Sequence, residues 1–249
     1  MAAKSTLLYN CAFEFGSCAK YACFYGAKPD ELKGKLVWMM RLSLIGMSGS
    51  GKSYWSTRLA ERGFTRFCCD DLIADKLAPE LTQPDGTLID VGEWMGFPYE
   101  SRYRQREATY LAYEIEVLTE IFESIHDCEK DVVIDTTGSV IYTGAEMLQK
   151  LCRYTTVGYL STPSEIKEQM LEGYIANQRP VLWNGWFNKN PDETDAQALA
   201  RCYPLLLSSR ENLYKQYADV VIDYHNRSGD SFGVDDLLRV VSASEKNRA

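Results

Sequence analysis

Short apolar runs punctuate this chain, and between them apolar residues recur at every third or fourth position. RLSLI (41–45), RFCCD (66–70), DVVIDTTG (131–138), TTVGYLST (155–162) and VVID (220–223) are brief and end in polar or turn-forming residues, which predicts buried strands. SYWSTRLAERG (53–63) has helical spacing and closes on Gly63. REATYLAYEIEVLTEIFESIH (106–126) carries the longest helical pattern, and another helix is expected from about Ser164. Strands alternating with helices predict an α/β fold with a mostly parallel sheet covered on both faces. WNGWFNKNPDETDAQ (183–197) interrupts the alternation; its turn formers predict a long loop with three exposed aromatics. No internal repeat is visible, and the tail 243–249 is polar and expected to fray.

At 249 residues the chain suits one large domain, expected over 39–242. Residues 1–38 are rich in Cys, Phe and Tyr, with neither a clean apolar core nor Arg-rich amphipathicity, so they match no signal or transit peptide. Met39 and Met40 fall just before the first strand, so 1–38 is read as an appended segment, with an internal start as the alternative. The net charge of −8 gives no support to non-specific nucleic-acid binding. Eight cysteines form no C-x-x-C pair and the two histidines lie far apart, which argues against structural zinc and for reduced thiols in the cytoplasm. No apolar run reaches the length of a membrane helix.

Chemistry concentrates in GMSGSGKS (46–53), which follows the first strand and opens a helix. This is the G-x-x-x-x-G-K-[ST] pattern of a phosphate-binding loop. Gly46, Gly49 and Gly51 allow close backbone approach, and the N–H groups around Ser50 and Tyr54 would wrap a phosphate anion. Lys52 is placed to reach the terminal phosphates of ATP, and the Ser53 hydroxyl to ligate Mg²⁺. Asp135 ends an apolar strand, where a carboxylate meets the ligand crevice and can hold Mg²⁺ directly or through water.

The order of the remaining polar pieces resembles the shikimate kinase family. There a phosphate-binding loop is followed by a strand ending D-x-D, then F-R-x-x-E, a G-G-G turn, an R-P-L-L lid, and R-x-x-L-Y ahead of a final A-D-x-V-V-D strand. Here the second Asp of D-x-D falls on Asp70, F-R-x-x-E on 103–107, and R-P-L-L on 179–182. R-x-x-L-Y falls on 210–214 and the last strand on 218–223, so the resemblance covers roughly 40–238. It implies a P-loop kinase three-layer sandwich with a mostly parallel central sheet and an extended lid, about 179–200. It also implies ATP and Mg²⁺ dependence and, as acceptor, a small carboxylated polyol such as shikimate. By the same resemblance, Asp70 would orient the attacking hydroxyl, Arg104 and Arg210 would clamp a carboxylate, Gly138 would meet the substrate, and Arg179 would bring lid charge to the phosphates. A monomer is the favoured state. The pattern departs at Cys68, which stands for the first Asp of D-x-D, and at Thr137-Gly138-Ser139, where one glycine of three remains. Thiols suit magnesium poorly, so Asp135 is expected to take that load. The alternatives are a related P-loop kinase for another small metabolite and a kinase-like binding protein without catalysis.

Overall fold

The computed structural model describes residues 39–126, 128–176, 181–229 and 231–246. The appended segment 1–38, the lid residues Arg179 and Pro180, and the end of the tail lie outside the described residues. Five strands form one parallel sheet in the order β2-β3-β1-β4-β5: β1 (Arg41–Ile45), β2 (Thr65–Cys68), β3 (Val132–Asp135), β4 (Thr156–Leu160) and β5 (Val220–Ile222). The alternation of side chains along each strand divides the interior in two. Ile45, Val132, Ile134, Val157 and Tyr159 face α2 (Cys69–Leu81), α4 (Tyr103–His126), α5 (Ala145–Tyr154) and α7 (Asp195–Tyr217). Leu42, Leu44, Val133, Leu160 and Ile222 face α1 (Lys52–Ala60) and α9 (Val234–Lys246). Each fully buried Leu, Ile or Val side chain contributes about 1.5–3 kcal/mol to this three-layer arrangement. The expected α/β sandwich with a parallel central sheet is therefore the observed one.

Three expectations need correction. RFCCD does not run as strand to Asp70: the strand stops at Cys68, and Cys69, Asp70 and Asp71 form the first turn of α2. Two carboxylates there sit at the positive end of the helix dipole, which favours that boundary. The expected loop 183–197 is shorter, because α7 already starts at Asp195. Thr194 and Gln197 close a reciprocal capping box that satisfies the first N–H groups of this helix. The aromatics of that segment are not all exposed either. Trp183 is 1% exposed and packs on Tyr174, Phe187 and Tyr203, while only Trp186 stands out to solvent. The remaining helices are α3 (Val91–Met95), α6 (Ser164–Ala176) and α8 (Tyr224–Arg227), with a 3-10 turn at Val140–Tyr142.

Candidate active site

The sheet order leaves β1 between β3 and β4, and the loop leaving β1 crosses the carboxyl edge of the sheet, where ligands bind in folds of this kind. Gly46 starts that loop at φ 148°; a Cβ there would stand 2.8 Å from Ser50 Oγ and 2.9 Å from the Leu160 carbonyl, so only glycine fits. Lys52 opens α1 with its ammonium folded back, Nζ donating to the carbonyls of Gly46 and Met47 at 3.0 Å each. Burial pulls its pKa down, and the negative charges of Asp70 and Asp135 oppose that pull. Arg227 braces the loop from behind: Nη2 donates to the carbonyls of Ser50 (3.0 Å) and Ser161 (2.7 Å), and Nη1 to that of Ile222 (2.9 Å). A single buried guanidinium thus ties the phosphate loop to the ends of β4 and β5.

A cavity of about 490 Å³ opens in front of the loop. Gly49, Gly51, Lys52, Ser53 and Tyr54 line its phosphate side. Asp70, Gly138 and Arg210 line the other side, together with Tyr110, Thr137 and Ser139. Gly46 and Ser50 support the loop from below rather than lining the cavity; Ser50 Oγ is buried without a partner. Asp70 is open to solvent through the cavity mouth, yet the surrounding walls desolvate it and raise its pKa, with Lys52 and the Tyr110 hydroxyl opposing. That hydroxyl donates to Asp70 Oδ1 at 3.2 Å.

Arg210 is 4% exposed. Its Nη2 donates to the Leu182 carbonyl at 2.6 Å, its guanidinium lies over the Tyr142 ring, and Nε has no partner among the described residues. Gly138 gives it room: a Cβ there would come within 3.4 Å of Arg210 Nη1 and of the Ser48 nitrogen. Tyr214 Oη donates to the Gly138 carbonyl at 2.5 Å and fixes the turn.

The expected pairing of Arg104 with Arg210 does not occur. Arg104 is exposed and is not among the residues lining the cavity. The face of α4 turned inward carries Tyr103, Tyr110 and Glu114, and Arg104 lies one residue, about 100°, off it. The neighbouring residues of that motif have a different task. The Tyr103 hydroxyl accepts from the Trp183 nitrogen (2.8 Å) and lies within hydrogen-bond distance of the Val181 carbonyl (2.7 Å) and Glu107 Oε1 (2.8 Å). Glu107 also accepts from the Asn184 nitrogen at 2.8 Å. Tyr103 and Glu107 therefore pin the strap 181–184. Arg179 lies outside the described residues.

Asp135 sits beneath the loop rather than in the cavity lining. Its Oδ2 accepts from Arg66 Nη2 (2.9 Å) and Ser56 Oγ (3.0 Å), while Oδ1 is buried without a partner. Cys68 is its register partner across the sheet, and burial pushes this thiol up to about 12, so it stays protonated and unsuited to magnesium. Among the described residues no cluster of three or more His, Cys, Asp or Glu side chains is arranged for a metal ion.

Sequence reasoning missed Glu114. It is 1% exposed on the apolar stripe of α4 and accepts from the hydroxyls of Thr137 and Ser139, the two residues flanking Gly138; the Ser139 contact is 2.7 Å. Burial pushes its pKa up to about 7, against the pull of those two hydrogen bonds. The signal was present in the sequence: an acidic residue in phase with Tyr110, Val117 and Ile121 on a stripe that is otherwise apolar. Arg66 and Arg227 were missed as well, each an ordinary charge until the fold gives it buried partners.

No protein-family model matches this chain, and no curated protein sequence matches it. Solved structures do. A shikimate kinase from Acinetobacter baumannii in complex with shikimate matches with a TM-score of 0.53 at 23% identity, over 84% of this chain and 95% of that one. The shikimate kinase of Aquifex aeolicus matches with a TM-score of 0.50 at 19% identity, over 84% and 97%. That of Bacteroides thetaiotaomicron matches with a TM-score of 0.50 at 17% identity, over 84% and 96%. The chain has the fold of these P-loop kinases along nearly their whole length.

Proposed function

We propose that this protein transfers the γ-phosphoryl group of ATP to a hydroxyl of a small hydroxylated carboxylic acid, with shikimate the first acceptor to test. The observation that carries this reading is that Lys52 of the phosphate loop and the carboxylate of Asp70 share one cavity with the buried guanidinium of Arg210. Phosphoryl transfer depends mainly on positioning and charge stabilisation, and these groups supply both. Lys52 exchanges its two loop carbonyls for phosphate oxygens. Asp70, made more basic by its surroundings, accepts the proton of the attacking hydroxyl, whose oxygen bonds to the γ-phosphorus as the bond to the β-phosphate oxygen breaks. Arg210, which lines the cavity, offers its guanidinium to the acceptor's carboxylate. In this reading Arg179 adds charge from the lid, and lid closure excludes water.

Magnesium, when bound with ATP, neutralises charge on the phosphates. The residues present fit it: the Ser53 hydroxyl lines the cavity, and the unpartnered Oδ1 of Asp135 is suited to a metal-bound water. Cys68 favours a second reading, binding without turnover, because a protonated thiol stands in place of an oxygen ligand. The described cysteines are all free thiols, which suits a reducing compartment such as the cytoplasm. Action as a monomer is part of the same proposal.

The test is ADP release coupled to a panel of small ring hydroxy acids headed by shikimate. We expect release to depend on one of these acceptors. Nucleotide binding without acceptor-dependent release would favour the second reading.

A further inference from the structure

We propose that Glu114, Thr137 and Ser139 form a specificity-determining wall of the acceptor subsite, and that this wall recognises two neighbouring hydroxyls of the acceptor, a vicinal diol. The inference rests on the kinase reading above and narrows its substrate class.

The protons available on these side chains decide what the wall can recognise. Glu114 is buried, and its two oxygens each receive one hydroxyl proton, Oε1 from Thr137 and Oε2 from Ser139. A hydroxyl has one proton and two lone pairs. With both protons committed to Glu114, neither hydroxyl can donate into the cavity that both residues line. Thr137 Oγ1 also accepts from the Ser139 nitrogen at 3.0 Å, which leaves it one lone pair, while Ser139 Oγ keeps two. The two oxygens lie 2.9 Å apart. They present a pair of acceptors spaced like the oxygens of two adjacent hydroxyls. The Tyr110 proton is committed to Asp70, so none of these three hydroxyls donates into the cavity, and the donor on this side is Arg210. A carboxylate, which has no proton to give, is repelled by the wall and left to Arg210; hydroxyl groups fit it.

Glu114 acts through Thr137 and Ser139 and is a positioning residue. The charged and titratable groups facing it are Asp70 and Cys69 on α2, Lys52 on α1, Arg210 and Tyr214 on α7, and Tyr110 on its own helix. Protonation of Glu114 gives it a proton of its own, so one hydroxyl must turn its proton toward the cavity and the paired acceptor is lost. The Glu114→Gln substitution does the same permanently, since an amide NH₂ must donate.

The experiment is calorimetric titration of the ADP-bound protein with shikimate and with its analogue lacking one hydroxyl of the vicinal pair. We expect the analogue to bind about 5- to 10-fold more weakly to the wild type, the range of one lost hydrogen bond. In Glu114→Gln and in Ser139→Ala that preference should shrink to about twofold or less, with ADP affinity unchanged. Wild-type affinity for the diol should fall as pH drops through about 7, and this dependence should be absent in Glu114→Gln. Equal binding of the two ligands by the wild type, no binding of either, or a preference that survives both substitutions would overturn the proposal. If the wall-dependent preference is found but ATP is not turned over, the diol site stands and the kinase reading falls.

Discussion

A carboxylate inside a protein is held by hydrogen bonds or by opposite charge, and Glu114 relies chiefly on hydrogen bonds. Burial pushes its pKa up to about 7 in the folded chain from an ordinary 4.5, so the native state binds the proton more tightly than the unfolded chain does. The sign follows: its contribution favours folding below about 4.5, and stability declines as pH rises from there to about 7. Glu114→Gln should flatten that decline, by on the order of 3 kcal/mol over the window, as read by urea unfolding across pH. Asp70 shifts in the same direction, so some slope should remain. An unchanged slope would mean that Glu114 is not desolvated as described. The two arginines give a second prediction. Arg210→Lys, which keeps the charge but loses the fork, should lower acceptor kcat/KM about 10- to 100-fold, whereas Arg104→Ala should change it by about twofold or less. Comparable losses at both positions in steady-state kinetics would restore the paired clamp. Lys52, Asp70 and Arg210 all line the cavity; the loop pattern singles out Lys52, and only the resemblance singles out Asp70 and Arg210. Arg104 was misplaced because a motif that opens a helix does not state the phase of its buried face, and Glu114 was hidden because its partners come from a turn 23 and 25 residues away.

The helix α4 works as a beam with two loads. Its N-terminal end pins the strap 181–184 through Tyr103 and Glu107, and its next two turns shape the cavity through Tyr110 and Glu114. Tyr103→Phe removes the hydroxyl that accepts from the buried Trp183 nitrogen, at an expected cost of about 1–3 kcal/mol. Hydrogen exchange should show faster exchange at the Trp183 amide in this variant, while the strand amides of β1 and β3 keep their protection. Faster exchange through the whole chain would instead mean that Tyr103 stabilises the fold globally rather than the strap. The strands were legible as apolar runs because a parallel sheet is buried on both faces. The boundary of α7 was not, because Thr194, Asp195 and Gln197 are turn formers by type and become a capping box only through their reciprocal hydrogen bonds. Trp183 looked exposed among polar neighbours; its burial depends on Tyr174 and Tyr203, which other helices deliver.

In the whole molecule, two cores hold one sheet, and the cavity in front of the loop lies along its carboxyl edge. The parallel sandwich was readable from the alternation of strands and helices, but the strand order β2-β3-β1-β4-β5 was not, since it arises from crossovers between distant segments. The first described residues already belong to this frame: Met40 donates its N–H to Asp131 Oδ1 at 2.7 Å, and its carbonyl accepts from Val132 at 2.8 Å. A chain beginning at Met39 is therefore expected to melt cooperatively and keep its nucleotide affinity; loss of either would make residues 1–38 part of the working fold. The central claim is transfer of a phosphoryl group from the loop side of the cavity to the Asp70 side. It is tested most directly with γ-labelled ATP, shikimate and related ring hydroxy acids, following where the label goes. We expect label on the acceptor with the wild-type protein and none with a folded Lys52→Ala variant. Label appearing only as inorganic phosphate, or transfer undiminished in Lys52→Ala, would contradict it.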